Sequence, residues 1–324
     1  MSTTAFVCIS HSGDIELKTA FLVYTLKKYV RGDYTINVAL PEKSPHHGEP
    51  SEESMRYYYQ QGIKLYSFQN SVLGNRNELM KGDFNSNKIY ALNTHFKEEF
   101  ILFLDSDTAV LKTFDPNTLA KMNQGLLIKP ANRSNISGWK RIYKLAGQTY
   151  PSEKIVTSID KVEIPPYFNA GVIGLNRQIR EEFYSVWIKY FNMMREEEDV
   201  EKFKIKPFHR DQISLSLAIH DLKLKYSILP EEYNYPLRGK KFKKNEIPII
   251  VHYHRPYTIY STGLLRKEFN HFLKDHPEFY RLVIHYANWK KFFGTGAVRA
   301  FIHGLKESLQ YRKFMLTKKL QFRN

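Results

Sequence analysis

The sequence predicts an α/β fold built on a mainly parallel sheet with helices on its faces. Three observations predict it. Short apolar segments alternate with helix-spaced ones from Thr4 to Leu104, the pattern of strand–helix–strand crossovers in a parallel sheet. The run Phe100-Ile-Leu-Phe-Leu104 is uniformly apolar, as suits a strand covered on both faces. It ends in Asp105-Ser-Asp107, which places two carboxylates where open α/β sheets bind ligands, at the carboxyl ends of strands.

Each element follows from its own pattern. Thr4–Ser10 is a first buried strand, closed by the polar turn His11-Ser-Gly-Asp14. Between Ile15 and Val30, apolar Ala20, Leu22, Val23, Leu26 and Val30 recur at helical spacing. Tyr34–Leu40 is a second strand, ended by Pro41, and Ile63–Phe68 a third, with a short helix over Glu52–Gln61 between them. A helix over Lys88–Phe96 leads into the central strand. Gly125–Lys129 reads as a further strand, and residues 130–165, polar and rich in Lys, Ser and Asn, as an excursion from the sheet. Tyr167–Asn176 is a strand with small residues inside it, marking a close approach of backbone or ligand, or a β-bulge. Glu181–Met194 is a helix with Phe183, Val186, Trp187, Tyr190 and Phe191 on one face, followed by a solvated acidic run, Glu196–Glu201. Asp211–Ile219 reads as a helix opened by Asp211, whose carboxylate is either an N-cap or a site group. Strands at Leu224–Leu229 and Ile247–Pro256 complete the pattern.

The chain has 324 residues, enough for one large domain or one with an appendage. No apolar stretch approaches the ~18–20 residues of a transmembrane helix. The first residues lack a basic, signal-like segment, and Cys8 is the single cysteine. A cytoplasmic location without disulfides or a cysteine metal cluster is therefore expected. No Gly-x-Gly-x-x-Gly and no phosphate-loop Gly-Lys-Ser/Thr occurs, which weighs against dinucleotide and ATP-loop chemistry. Formal net charge is +16, which favours an anionic partner. Residues 279–324 hold ten Lys or Arg against Glu307, a net +9 in a seventh of the chain.

Asp105 and Asp107 repel one another unless a cation neutralises them. Their hard oxygens suit Mg²⁺ or Mn²⁺, and such a cation would in turn hold a diphosphate. An Asp-x-Asp triplet alone is weak, since about one per chain of this length arises by chance. The strand Ile247–Val251 ends in His252, whose borderline nitrogen beside two carboxylates would favour Mn²⁺.

Six motifs in order then resemble the retaining glycosyltransferases of the glycogenin and bacterial lipopolysaccharide galactosyltransferase type, glycosyltransferase family 8. They are Asn87-Lys-Ile-Tyr-Ala-Leu92, Leu104-Asp-Ser-Asp-Thr108, Phe168-Asn-Ala-Gly-Val172, Asp211-Gln212, Leu229-Pro-x-x-Tyr-Asn234 and Val251-His252. The resemblance spans roughly residues 4–256. It implies a GT-A fold: a Rossmann-like, mixed but mainly parallel sheet flanked by helices, followed by a helical basic extension. The implied organisation is a catalytic domain over 1–256, with a nucleotide-binding half 1–111 and an acceptor half 112–256, and the extension over 257–324. Asp105, Asp107 and His252 would be the metal ligands. Ser10, Lys88, Ser106 and Arg255 would bind the donor, and Asn169, Asp211 and Gln212 would carry the sugar chemistry. One departure stands out. The family continues from the histidine into Gly and Lys-Pro, whereas here His252 is followed by Tyr-His-Arg-Pro, so that Arg255, Arg266 or Lys267 would take the place of the clamp lysine.

The activity implied is metal-dependent transfer of a hexose from a nucleoside diphosphate sugar, a UDP-sugar by resemblance, to a hydroxyl of a glycan or lipid-linked acceptor, with retention. A nucleotidyltransferase or an inverting GT-A enzyme is the alternative. The net charge also raises nucleic-acid binding, which no zinc finger, RNA-binding aromatic motif or helix-turn-helix supports. Val298, Phe301, Ile302, Leu305 and Leu309 form a helical stripe among Arg and Lys residues, a basic amphipathic pattern that suits an anionic membrane surface and a peripheral location.

Overall fold

The computed structural model describes residues 3–44, 47–74, 83–133, 136–196, 209–237, 242 and 245–294. Strand β1 (Thr4–Ile9) leads through α1 (Asp14–Tyr29), β2 (Tyr34–Pro41), α2 (Glu52–Gln60), β3 (Lys64–Phe68), the short α3 (Ser71–Gly74) and α4 (Asn87–Leu92) to β4 (Phe100–Leu104). Then come β5 (Thr108–Val110), α5 (Pro116–Met122), β6 (Leu126–Pro130), α6 (Trp139–Leu145), a small hairpin of β7 (Ile155–Val156) and β8 (Glu163–Ile164), and β9 (Phe168–Asn176). Helices α7 (Arg180–Glu196) and α8 (Arg210–Asp221) precede β10 (Tyr226–Ile228), β11 (Tyr235–Pro236) and β12 (Ile250–His252).

Seven strands form the main sheet in the order β10-β6-β9-β4-β1-β2-β3. Strand β9 runs antiparallel to both its neighbours, and the other pairs are parallel. The expected mainly parallel α/β sheet is thus the fold of the chain. β4 lies between β1 and β9 with all five residues buried, which is why its sequence is apolar at every position. Alternate side chains enter different layers. Ala5, Val7, Ile101 and Phe103 join one core with Ile89 of α4, Trp187 and Phe191 of α7, and Ile213 and Leu217 of α8. Phe6 and Leu102, one step out of phase, are equally buried. Phe6 meets Phe114 edge-on, at 6.3 Å between ring centroids. A second, three-stranded sheet has the order β11-β12-β5. There β12 is antiparallel to β5 and sets His252 opposite Thr108, next to the Asp-x-Asp turn.

Four expectations change in detail. The helix expected over Lys88–Phe96 stops at Leu92, where Asn93 caps it, and Phe96 enters the core after the chain has turned. The strand expected over Ile247–Pro256 is only three residues long. Asp211 is not an N-cap: the cap position belongs to His209, and Asp211 lies inside the first turn of α8. The small residues of β9 reflect both close approach and an irregular ladder. Ile128 pairs with Ile173 and Lys129 with Asn169, so Ala170, Gly171 and Val172 are accommodated opposite a single step of β6.

The chain divides into compact units at Met1–His252 and Tyr253–Asn324. The second is described as far as Gly294 and holds α9 (Pro256–Ser261), α10 (Gly263–Asp275), α11 (Tyr280–His285) and α12 (Ala287–Phe293). Its own core is aromatic: Phe269 packs on Trp289 at 4.9 Å and on Phe293 at 4.6 Å, and Phe272 on Phe279 at 5.0 Å. The basic amphipathic helix expected from Val298 onward lies outside the described residues. Among the described residues no helix is long and apolar enough to cross a membrane.

Candidate active site

The turn after β4 is shaped by its own backbone. The amide of Asp105 donates to the Gly171 carbonyl of β9 at 2.8 Å, continuing the ladder one residue beyond the strand. The Asp105 carbonyl then accepts from the Thr108 amide at 3.0 Å and the Thr108 hydroxyl at 2.7 Å. Threonine at that position therefore closes the turn, and both carboxylates leave it at the carboxyl edge of the sheet.

Lys88 lies at the start of α4 and is almost fully buried. Its Nζ is 3.1 Å from Asp105 Oδ1, 3.0 Å from Asp211 Oδ2 and 3.4 Å from the Ala170 carbonyl oxygen. Burial alone would lower the pKa of this ammonium, but Asp105 and Asp211 outweigh it and hold it above its ordinary value. Asp211 is itself buried, and its Oδ1 accepts from Asn85 at 3.4 Å. Trp187 of α7 donates its indole N–H to the Asp211 carbonyl at 3.1 Å, fixing the turn that carries the carboxylate. Deeper still, Arg195 grips buried Asp83 through two hydrogen bonds of 3.0 Å, a bidentate pair that ties the end of α7 to the segment leading into α4.

His252 faces the second carboxylate. Its Nε2 is 2.9 Å from Asp107 Oδ1 and 4.0 Å from Asp105 Oδ2, and its Nδ1 is 3.1 Å from Asn234 Oδ1. The imidazole fits because Gly171 has no side chain: a Cβ there would stand 2.6 Å from His252 Cε1. Burial disfavours the imidazolium and Lys88 adds to that, yet Asp107 and Asp105 prevail and raise its pKa. With Nδ1 acting as donor, a neutral His252 would turn a lone pair directly at a carboxylate oxygen. Two acceptors at that separation need a proton or a cation between them. The donor set of Asp105, Asp107 and His252, two hard oxygen groups and one imidazole, fits a divalent ion of the Mn²⁺ or Mg²⁺ kind.

The structure thus brings Lys88, Asp105, Asp107, Asp211 and His252 together. Asn169 joins them through Asn234, accepting from its Nδ2 at 2.8 Å, and half-buried Gln212 shares the first turn of α8 with Asp211. The two serines are engaged with the scaffold. Ser106 donates to the Ile9 carbonyl at 2.6 Å, and the Ser10 hydroxyl bonds that of Tyr58 at 2.9 Å. Arg255 belongs to the second unit, where it precedes α9. Beside the end of β1, His11 stacks on His47 at 4.7 Å, and His47 contacts the Phe84 ring at 5.1 Å. Burial, reinforced by His47, pushes the His11 imidazole down to about 4. Sequence reasoning missed Asn234 as the partner of His252 and Lys129 as the buried group that holds its loop. A lone polar residue in a loop carries no periodic signal, and a strand lysine reads as a surface group until its burial is known.

Comparison with curated proteins returns no match. Among solved structures, the chain is similar to the bifunctional glycosyltransferase WbbM in its apo form, with 12% identity and a TM-score of 0.47 over 83% of this chain and 51% of that one. It is also similar to the glycosyltransferase GlyE of Streptococcus pneumoniae TIGR4, with 15% identity and a TM-score of 0.48 over 89% of this chain and 66% of that one. The chain therefore spans about half the length of the first protein. The sequence model of the Rhodobacterales glycosyltransferase domain matches residues 6–223, which include every site residue named above except Asn234, His252 and Arg255. That match covers 218 of 324 residues, counting from 6 to 223, and the chain belongs to the Rhodobacterales glycosyltransferase domain family.

Proposed function

We propose that this glycosyltransferase is metal-dependent and moves a hexose from a nucleoside diphosphate sugar, with UDP as the nucleotide, to a hydroxyl of a glycan or lipid-linked acceptor with retention. The observation that carries the metal is the convergence of Asp105, Asp107 and His252 at the carboxyl edge of the sheet, with His252 Nε2 2.9 Å from Asp107 Oδ1 and 4.0 Å from Asp105 Oδ2. A divalent ion held by Asp105, Asp107 and His252 would supply a Lewis acid for the charge that builds on the departing diphosphate. Lys88 keeps Asp105 and Asp211 at a fixed separation and contributes a positive charge beside them. Asp211, buried and anchored on α8, would face positive charge developing on the sugar, with Gln212 on the same turn to orient the ring. Donor nucleotide and stereochemistry rest on the motif resemblance. The excursion between β6 and β9, with α6 and the β7–β8 hairpin, is where acceptor contacts are expected, because loops around a fixed site set specificity.

The test is a screen of nucleotide sugars for slow hydrolysis with Mn²⁺, with Mg²⁺ and with EDTA. Mn²⁺-dependent release of UDP is expected, and Asp107→Ala should lose it while still unfolding cooperatively, at a temperature lowered by no more than the loss of the His252 pair. UDP release by the Ala variant in EDTA at the wild-type rate would exclude the metal role.

A further inference from the structure

The backbone amide of Gly171 can only donate, and it orients the side chains around His252. It donates at 2.8 Å to the side chain of Asn169, so the receiving atom is the amide oxygen. That same oxygen lies 2.8 Å from the side chain of Asn234. An oxygen already accepting there requires a donor opposite, which makes the Asn234 atom its NH₂. The other arm of Asn234 is then an oxygen, and it sits 3.1 Å from His252 Nδ1. Nδ1 must carry the hydrogen, and Nε2 is left as the atom presented to Asp107 and Asp105. The direction of every hydrogen bond in the chain Gly171–Asn169–Asn234–His252 follows from one peptide N–H.

Asn234 is held in place with unusual care. Its backbone is left-handed, with φ of 53°, a conformation that asparagine tolerates better than most residues. The carbonyls around it converge on one ammonium: Lys129 Nζ donates to Glu231 O at 3.0 Å, Tyr233 O at 2.9 Å and Asn234 O at 3.3 Å. Lys129 is 3% exposed and pairs across the sheet with Asn169 at the irregular step of β9. Three loop carbonyls thus share one buried ammonium. Its effect is to fix the loop that orients the asparagine.

We propose that Asn234, anchored by Lys129, is the positioning residue for His252: its side-chain oxygen fixes the imidazole orientation and tautomer and thereby sets the affinity of the site for a divalent cation. This rests on the metal-dependent reading above. It goes beyond the ligand set, because Asn234 meets His252 at Nδ1 and not at the Nε2 turned toward Asp107. Outer partners of ligating histidines typically change metal affinity 10–100-fold when removed.

The experiment titrates Mn²⁺ into the full-length protein with UDP present, following loss of the free-ion signal by electron paramagnetic resonance. The proteins compared are the wild type, His252→Ala, Asn234→Gly and Asn234→Asp. Glycine keeps the left-handed backbone without the amide, and thermal unfolding of each metal-free protein reports the fold. Asn234→Gly should bind Mn²⁺ at least tenfold more weakly, approaching His252→Ala. Asn234→Asp keeps an acceptor for Nδ1–H but loses the N–H that Asn169 accepts, so it should bind Mn²⁺ several-fold more tightly than Asn234→Gly, a partial rescue that a merely structural role would not produce. Wild-type affinity in Asn234→Gly, or equal weakening in the Gly and Asp variants, overturns the positioning role while leaving the metal reading intact. A wild-type protein that binds no Mn²⁺ overturns the metal reading and the proposal together.

Discussion

Asp211 is the residue whose two sequence readings separate most sharply. As an N-cap it would have been a local device, replaceable by asparagine at little cost. In the fold it sits inside the first turn of α8 and reaches Lys88 across 3.0 Å. Asparagine at 211 would leave Lys88 paired with Asp105 alone, in a buried setting. A stability loss of about 1–3 kcal/mol is expected for the weakened contact, with kcat falling at least ~10²-fold if the carboxylate stabilises charge at the sugar. Steady-state kinetics beside urea unfolding resolve the two effects. A variant that loses stability but turns over within twofold of wild type would make Asp211 a strut for Lys88 and nothing more. Legibility at this scale is uneven. Asp105 and Asp107 were visible because adjacent carboxylates after an apolar strand form a local pattern. Lys88 needed the motif resemblance, whereas His252 was marked by its place at the end of an apolar strand. The side-chain partners of Asn234 lie 65 residues away at Asn169 and 18 residues away at His252, which no spacing rule reaches.

Among the elements, β9 does most to join scaffold to site. Its two internal glycines serve different neighbours. Gly171 makes room for His252, whereas a Cβ on Gly174 would lie 2.7 Å from Phe100 Cζ and 3.0 Å from Leu127 Cβ. Phe100 and Leu127 belong to the strands on either side, so neither can retreat without moving the sheet. Gly174→Ala should therefore destabilise the protein by about 1–3 kcal/mol through overpacking, with Mn²⁺ affinity unchanged in the folded fraction. Calorimetry together with the Mn²⁺ titration checks this, and a transition temperature equal to wild type would mean that the Phe100 ring and Leu127 shift aside freely. The sequence was enough to place β4, whose uniform burial leaves an uninterrupted apolar record, and β9, whose small and apolar residues are buried almost throughout. It was not enough for the ends of α4 and β12. Those are decided by where the chain turns back into the core, as Phe96 does, and by where one compact unit gives way to the next, at His252 and Tyr253.

On the scale of the whole molecule, charge is the feature that the catalytic unit leaves unexplained. The buried site is acidic: Asp105, Asp107 and Asp211 face Lys88 and His252. The surplus of +16 lies elsewhere, and residues 295–324 alone carry seven Lys or Arg against Glu307, seven less one or +6. In the described part of the second unit, α11 exposes Tyr280 and Ile284, four residues apart on one face, with Arg281 beside them. Apolar side chains flanked by cations suit the headgroup boundary of an anionic bilayer, where each Lys or Arg near the surface contributes about 1 kcal/mol. We expect the full chain to sediment with vesicles containing anionic lipid and to be released as salt rises from 0.1 to 1 M, since the screening length falls from about 10 to about 3 Å. A chain cut before Gly294 should bind at least tenfold more weakly, because it lacks the +6 segment, and neutral vesicles should retain neither protein. Equal binding of the two chains would shift the attraction to the surface of the folded units. Indifference to lipid charge would remove the membrane as the partner of this surplus.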